Sequence, residues 1–176
     1  VLQLLNAKNP DVSESDYLDV ILGKTAMLFE AATHTGAQLA YANIHQTEAL
    51  RRFGRHLGIA FQLIDDLMDY TGDLNSMGKN VGDDLAEGKP TLPLIHAMAH
   101  AQEDERKLIR KAIRQGNGEQ LEKIQSILQR CGSLDYTYAK ATQETEDALK
   151  CLSELSDSTY KNSLADLCTL ALTRQN

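Results

Sequence analysis

The apolar residues of this 176-residue chain recur at helical spacing, and no stretch alternates as an amphipathic strand does. One apolar stripe contains Tyr17, Val20, Ile21 and Leu28. Prolines, which interrupt helices, number only three in the whole chain. Because each helix must bury its apolar stripe against another element, we predict an all-α fold in which the helices pack as a bundle.

Capping and turn residues divide this pattern into segments. Ser13 and Asp16 match a capping box at the start of the first stripe. Residues 71–90 contain four glycines and no amphipathic face, so we predict a long loop there, of the kind that is usually functional. About seven helices are expected, all in one domain over residues 1–176. They cover approximately residues 15–43, 47–70, 91–101, 103–115, 119–130, 134–154 and 158–173.

Charge and cysteine content exclude some classes of partner. The net charge is −7 and no basic patch runs along the chain, so we expect no nucleic-acid partner. Cys131, Cys151 and Cys168 are widely spaced, which favours packing roles in a reduced, cytoplasmic protein. No apolar run reaches the roughly 18 residues that cross a bilayer. Because the chain opens on Val1 in what reads as the end of a helix, we expect it to be the second part of a longer protein.

The stretch FQLIDDLMDY puts three aspartates inside an apolar run. On a helix, Asp65 and Asp69 share a face with Gln62, and Asp66 lies about 100° away. Carboxylates this close repel one another, and burial increases the cost. Either solvent covers this face or cations neutralise it, and no lysine or arginine occurs between residues 56 and 79. Hard oxygen ligands suit Mg²⁺, so the stretch is either a solvated acidic face or a Mg²⁺ site, and the absence of basic residues around it favours the second interpretation.

Three lysines are candidates for contacts with an anion. Lys24 lies on the apolar stripe of the first helix, with the hydroxyl of Thr25 beside it. A lysine in that position either extends to solvent or points into a polar cavity. Lys79 and Lys89 follow glycines in the long loop, where they are either solvated or able to close over a metal-bound diphosphate.

Three motifs together resemble a known family. They are GKTA at residues 23–26, FQLIDDLMDY at 61–70 and GKNVGDDLAEGKPTLPL at 78–94. In order and spacing they resemble the trans-polyprenyl diphosphate synthases, and within that family the bacterial enzymes that make octaprenyl diphosphate for a quinone side chain. The resemblance runs along the whole chain, from Val1 to the C-terminus.

The resemblance implies an all-α bundle of the isoprenoid synthase type around a deep cavity. In that family two aspartate-rich motifs bind Mg²⁺ and an allylic diphosphate such as farnesyl diphosphate, and isopentenyl diphosphate adds to the allylic cation. The resemblance also implies a cytoplasmic homodimer that contacts a membrane only transiently, for release of its long product.

The resemblance assigns the aspartates to the metal. DDLMD matches the second aspartate-rich motif of the family. Asp65 is expected to bind Mg²⁺ directly, whereas Asp66 and Asp69 are expected to act largely through bound water. Together with Lys24, these three aspartates are the catalytic residues that the resemblance implies.

The resemblance assigns the other matching residues to the substrate. Lys24 and Lys89 match lysines that contact the diphosphate, and Lys79 matches a further loop lysine near it. Thr25 and Gln62 match a hydroxyl and an amide that line the reacting end of the allyl chain. No tuned protein base is required, because the chemistry depends on stabilising the charge of the leaving diphosphate.

One motif of the family is absent from this chain. No second DDxxD occurs, since Gly82-Asp83-Asp84 continues as Leu-Ala-Glu. The resemblance therefore covers the C-terminal half of such an enzyme. We expect this chain alone to be inactive in chain elongation and to expose apolar surface, with dimerisation or aggregation as the consequence.

Other functions stay open at this point. One alternative is a non-catalytic regulatory subunit of a prenyl synthase, but such a subunit would not need DDLMD and Gln62. Another is a terpene cyclase, but that function does not explain Lys24-Thr25 and the GKP sequence. A di-iron bundle needs Glu three positions before a histidine, and none of the five histidines has one. His96 and His100 are four positions apart and could share a metal, but no acidic partner accompanies them, so we expect a surface or packing role.

Overall fold

The protein is described by a computed structural model over residues 6–71 and 81–173, and these two ranges contain helices and no strand. The all-α prediction is therefore confirmed. In chain order the elements are α1 (Glu14–Ile21), a π-helical segment (Leu22–Ala26), α2 (Met27–Leu39), α3 (Ile44–Thr71), α4 (Asp83–Ala86), α5 (Leu92–His100), α6 (Glu103–Gln115), α7 (Leu121–Arg130), α8 (Ser133–Cys151), a 3₁₀ turn (Leu152–Glu154) and α9 (Thr159–Thr173).

Most helix boundaries lie close to the predicted ones, and α6 matches its predicted range of residues 103–115. One difference is at α3, which begins at Ile44 instead of residue 47. The reason is a capping pair that the prediction missed. Asn43 Oδ1 accepts the N–H of Gln46 at 3.0 Å, and Gln46 Oε1 accepts the N–H of Asn43 at 3.3 Å. The preceding helix α2 accordingly ends at Leu39 rather than at residue 43.

The predicted capping box at the start of α1 is confirmed. Ser13 Oγ accepts the N–H of Asp16 at 3.1 Å. In return, Asp16 Oδ2 accepts the N–H of Ser13 at 3.1 Å and its hydroxyl at 2.6 Å. These reciprocal bonds satisfy donors at the helix end and determine where the first helix begins.

A π-helical segment interrupts the first predicted helix, where an uninterrupted apolar stripe was expected. The N–H of Met27 donates to the carbonyl of Leu22, five residues earlier, so the segment has wider turns than an α-helix. The change of period rotates the residues that follow it. Ile21 is 3% exposed, whereas Leu28 is 76% exposed. The prediction that one stripe continues through Leu28 was therefore wrong.

The chain divides into two compact units, and the first comprises Val1–Val20 and Asp65–Tyr138. Its core holds the end of α3 and the short helix α4, because Tyr70 and Leu85 are both buried in it. These two residues are the chain neighbours of Asp69 and Asp84. The buried residues of this core are Tyr70, Leu85, Leu94, Ala97, Ala101, Ile109, Ala112, Ile113, Ile124, Ile127 and Leu128.

The second unit comprises Ile21–Ile64 and Ala139–Asn176 and has a core of its own. Cys151 and Cys168 are buried in this core, and both are free thiols, which confirms the predicted packing role for these two. Cys131, in the first unit, is a free thiol of intermediate exposure. The buried residues of the second core are Phe53, Leu57, Ala148, Cys151, Leu152, Cys168 and Ala171.

Several large apolar side chains are exposed. They are Met27, Leu28, Leu39, Tyr41, Ile44, Tyr138, Leu149, Tyr160, Leu167 and Leu170. Among the residues that the structure describes, no helix combines the length and the apolar character that crossing a membrane requires.

The predicted loop over residues 71–90 is covered only in part. Residues 72–80, and with them Lys79, lie outside the described residues. The remainder is not all loop, because α4 (Asp83–Ala86) forms within it.

Candidate functional site

The last turns of α3 carry the three predicted aspartates, and the structure gives them different surroundings. Asp65 and Asp69 are partly exposed, but Asp66 is only 4% exposed. Asp66 Oδ2 accepts a hydrogen bond of 2.6 Å from the hydroxyl of Tyr17. Burial and the charge of Asp66 raise the pKa of Tyr17 well above its ordinary value, so the phenol remains a donor. The Tyr17 hydroxyl is thus a hydrogen-bond partner for the buried Asp66 carboxylate.

Replacing Tyr17 with phenylalanine is expected to lower the free energy of unfolding by about 1.5–3 kcal/mol, because a buried carboxylate loses a hydrogen bond. Urea unfolding followed by circular dichroism measures this change. Tyr160→Phe is the matched control, since Tyr160 is 82% exposed and the same hydroxyl is removed. Equal midpoints for the two variants would show that the Tyr17 hydroxyl does not stabilise buried Asp66.

Asp69 lies beside a fourth carboxylate, that of Asp84 in α4. The N–H of Asp84 donates to Asp69 Oδ2 at 3.1 Å, and the N–H of Gly82 donates to the Asp69 carbonyl at 2.9 Å. Burial and the charge of Asp84 raise the pKa of Asp69 to about 7. A carboxylate whose ionisation is opposed by a neighbouring negative charge favours a bound cation.

Lys89 lies against the same carboxylate. Its Nζ is 2.8 Å from Asp84 Oδ1 and 2.7 Å from Glu87 Oε2, and 24% of its side chain is exposed. Burial alone lowers the pKa of Lys89, but the hydrogen bonds with Asp84 and Glu87 outweigh burial and raise it. The amine is therefore charged, and the structure brings this predicted residue into the acidic cluster through Asp84.

Backbone contacts hold the turn that presents Lys89. Gly88 has a φ of 71°, which favours glycine, and its carbonyl accepts the N–H of Lys8 at 2.8 Å. A Cβ at this position would lie 2.6 Å from the carbonyl oxygen of Ile113. A side chain at residue 88 would thus displace the backbone around it, which explains the glycine before this lysine.

In the second unit, two other predicted residues meet. Thr25 Oγ1 donates to Gln62 Oε1 at 2.7 Å, and Gln62 is 6% exposed. Thr25 belongs to the π-helical segment, as does Lys24, whose side chain is exposed. Segments of this kind often occur at functional sites. The sequence indicated the residues but not the segment, because its spacing was interpreted as one continuous helix.

The donor set of the first unit fits Mg²⁺. Asp65, Asp69 and Asp84 offer hard carboxylate oxygens, and the mutual repulsion of the last two is relieved by a divalent cation. Over residues 6–71 and 81–173, no three His, Cys, Asp or Glu side chains are arranged to hold a metal ion unaided. Mg²⁺ needs no such cage, since it binds protein through one or two carboxylates and takes its other ligands from water and phosphate.

Two residues of this cluster were not assigned a site role from the sequence. Tyr17 was counted as a member of an apolar stripe. A buried tyrosine hydroxyl needs a hydrogen-bond partner, and this requirement could have indicated a polar group near Tyr17. Asp84 was treated as a loop charge beside the lysines. Its position five residues before Lys89 carried no periodic signal, because the contact depends on the shape of a short helix and turn.

Comparison with known proteins agrees with these motifs. The profile of the polyprenyl synthetase family matches residues 1–131. The chain is 51% identical over 174 residues to an all-trans-nonaprenyl-diphosphate synthase (geranyl-diphosphate specific) of Rhodobacter capsulatus, covering 99% of this chain and 53% of that protein. It is 47% identical over 175 residues to the octaprenyl diphosphate synthase of Escherichia coli (strain K12), covering 99% and 54%.

A solved structure shows the same fold. The polyprenyl synthase from Caulobacter crescentus CB15, complexed with calcium and isoprenyl diphosphate, superimposes with a TM-score of 0.93 at 36% identity, covering 99% of this chain and 54% of that one. This chain spans about half the length of the relatives that it matches. The family profile, the sequence identity and the shared fold together establish that this chain belongs to the polyprenyl synthetase family.

Proposed function

We propose that this chain is part of a Mg²⁺-dependent trans-prenyltransferase that adds isopentenyl diphosphate to an allylic diphosphate such as farnesyl diphosphate. The product would be a long-chain trans-polyprenyl diphosphate, such as the octaprenyl chain of a quinone. The observation that carries the proposal is the cluster of Asp69, Asp84 and Lys89, in which hard oxygen ligands lie beside a charged amine. Asp65 lies one helical turn before Asp69 on α3. Relatives named for octaprenyl and nonaprenyl diphosphate synthesis support it.

The reaction releases a diphosphate, which takes up negative charge as its bond to the allylic carbon breaks. The chemistry that Mg²⁺ supplies when bound is neutralisation of that charge. Asp65 would bind the ion directly. Asp69 and Asp66, whose carboxylate accepts the Tyr17 hydroxyl, would act largely through bound water. Lys89 would contact the diphosphate oxygens, where a fixed positive charge stabilises the transition state more than the ground state.

Lys89 must exchange partners for this role. In the structure its amine is paired with Asp84 and Glu87, at 2.8 and 2.7 Å. Glu87 is 62% exposed, so its ion pair is weak in water. A diphosphate offers more negative charge than one carboxylate, and a cation near Asp84 would replace the lysine as the neutralising group. Lys89 would therefore be able to leave its carboxylate partners and bind the diphosphate.

The other residues that the sequence singled out take the roles that their motifs imply. Thr25 and Gln62, already hydrogen bonded to each other, would line the reacting end of an allyl chain. Lys24 is exposed and would contact the diphosphate, with Lys79 as a further lysine near it. None of these roles for Thr25, Gln62, Lys24 and Lys79 requires the residue to act as a general base.

The remaining expectations accompany this proposal. Residues 1–176 would be the C-terminal portion of one all-α prenyl synthase domain, inactive alone in chain elongation. The complete enzyme would be a cytoplasmic homodimer with transient membrane contact for product release. The free cysteines are consistent with a reducing compartment.

Calorimetric titration of a non-hydrolysable farnesyl diphosphate analogue into the 176-residue chain tests the proposal. We expect binding with Mg²⁺ present and none after chelation with EDTA, because repulsion between the aspartates and the diphosphate would then be uncompensated. Farnesol, which lacks the diphosphate, serves as the matched ligand control. Binding that is equal with and without Mg²⁺, or absent in both, would contradict a metal-dependent diphosphate site in this chain.

A further inference from the structure

A buried tyrosine hydroxyl connects α1 to the aspartates at the end of α3. Tyr17 and Asp66 are each 4% exposed. The hydroxyl of Tyr17 donates to Asp66 Oδ2 at 2.6 Å, a short hydrogen bond typical of a charged acceptor. The two residues are 49 positions apart in the chain. The contact therefore depends on how α1 packs against the end of α3.

Tyr17 lies close to several carboxylates of the acidic cluster. Burial is the main cause of its raised pKa, and three carboxylates raise that pKa further. They are those of Asp66, Asp84 and Asp65. The phenol is therefore near carboxylates of both α3 and α4, so its hydroxyl is placed to affect the cluster as well as the stability of the fold.

Two contacts hold α1, and with it the phenol, in place. The N–H of Tyr17 donates to the Ser13 carbonyl at 3.0 Å, so Tyr17 lies in the first helical turn, directly after the capping box. The Glu14 carboxylate accepts the hydroxyl of Tyr136, a residue of α8, at 2.8 Å. A side chain on a helix that is fixed at its start and against a neighbour is a well-positioned donor.

Stability alone does not account for this pair. Burying a carboxylate is costly, and one hydrogen bond returns only part of that cost. An apolar pair of the same shape would stabilise the two helices about as well. Tyr17→Phe is expected to destabilise the protein because it leaves the Asp66 carboxylate without this donor, and not because the pair is better than an apolar contact. The pair is better explained by a need for a carboxylate of fixed orientation.

We infer that Tyr17 is a positioning residue of the proposed diphosphate site and that it acts through Asp66. Its hydroxyl holds the Asp66 carboxylate in one orientation, in which that carboxylate accepts a hydrogen bond from water bound to Mg²⁺. Mg²⁺ keeps several of its waters, so fixed acceptors for those waters contribute to its affinity. The inference rests on the proposed function, since it assigns a role within that site.

The Mg²⁺ concentration that half-saturates binding of the farnesyl diphosphate analogue tests the inference. Calorimetric titrations of the 176-residue chain at a series of Mg²⁺ concentrations measure it. Tyr17→Phe is expected to raise this concentration about tenfold, because a group that orients a metal-site carboxylate is lost. At saturating Mg²⁺ the analogue affinity should return close to that of the unmodified chain, since mass action restores the bound ion. A purely structural hydroxyl would change the urea midpoint and leave the half-saturating Mg²⁺ concentration unchanged.

The matched control is Tyr136→Phe, which removes another hydroxyl that donates to a carboxylate, that of Glu14 on α1. This variant should keep the half-saturating Mg²⁺ concentration of the unmodified chain. Circular dichroism establishes that each variant is folded at the temperature of the titration. Equal rises for the two variants would overturn the inference, because the placement of α1 as a whole, and not the Tyr17 hydroxyl, would then affect the ion.

Asp66→Asn is a second variant, which keeps the shape of the acceptor and removes its charge. It should raise the half-saturating Mg²⁺ concentration at least as much as Tyr17→Phe. The double variant should show no further rise, since both changes act through one carboxylate.

The outcomes separate this inference from the proposed function. If the unmodified chain binds the analogue only with Mg²⁺, an unchanged half-saturating concentration in folded Tyr17→Phe or folded Asp66→Asn would overturn this inference alone. Failure of the unmodified chain to bind the analogue in Mg²⁺ would overturn both.

Discussion

Replacing Gly54 with alanine is expected to lower the free energy of unfolding by about 3 kcal/mol or more. Gly54 lies in α3 where that helix meets α2. A Cβ there would lie 2.5 Å from the carbonyl oxygen of Phe29 and would also overlap Thr33 Oγ1. Thr33 could rotate, but the Phe29 carbonyl is backbone, so the two helices would have to separate. Urea unfolding followed by circular dichroism measures the loss.

Gly36→Ala is the matched control for this substitution. Gly36 lies within α2, and a Cβ there would have no atom within 4 Å. Alanine should therefore stabilise the protein by about 0.5–1 kcal/mol, since it restricts the unfolded chain without a clash. If Gly54→Ala did not lower the unfolding midpoint relative to Gly36→Ala, α2 and α3 would not be in close backbone contact at Gly54.

Asp65→Ala is expected to abolish the Mg²⁺-dependent binding of the farnesyl diphosphate analogue. Removing a direct carboxylate ligand weakens the binding of the ion. The diphosphate then loses the positive charge that the ion supplied. The cost for such a charged partner is about 3 kcal/mol or more, which is at least about a 100-fold rise in Kd. Calorimetric titration in Mg²⁺ measures this rise directly.

The matched control is Asp104→Ala, which removes the same charge from α6, where the Asp104 side chain is 98% exposed. This variant should bind the analogue as the unmodified chain does, because net charge alone acts weakly at a distance in salt. Equal losses for the two variants would indicate a general charge effect. Full binding by folded Asp65→Ala would show that Asp65 is not a metal ligand.

Much of the fold was accessible from the sequence because helix formation is local. The range of α6 and the capping box of α1 were predicted correctly from residues close to one another in the chain. The start of α3 was missed because Asn43 and Gln46 were not recognised as a capping pair. The π-helical segment was missed because no residue type marks a change of helical period.

The candidate site was only partly accessible. Thr25 and Gln62 were both singled out, and the structure shows that they bond to each other. The sequence treated Asp66 and Asp69 alike, yet one is buried against Tyr17 and the other lies beside Asp84. These environments differ because packing, and not spacing along one helix, decides which carboxylate meets a donor and which meets another charge.

The sequence by itself determined the all-α class, most of the helices and the family, since apolar spacing, caps and short motifs are properties of neighbouring residues. Only the tertiary structure decided that Asp66 pairs with Tyr17, which is 49 positions away. It also decided that the Phe29 backbone packs closely against Gly54. Such contacts join segments that the chain brings together on folding. Their geometry depends on how whole helices pack, and a single sequence contains no periodic signal for it.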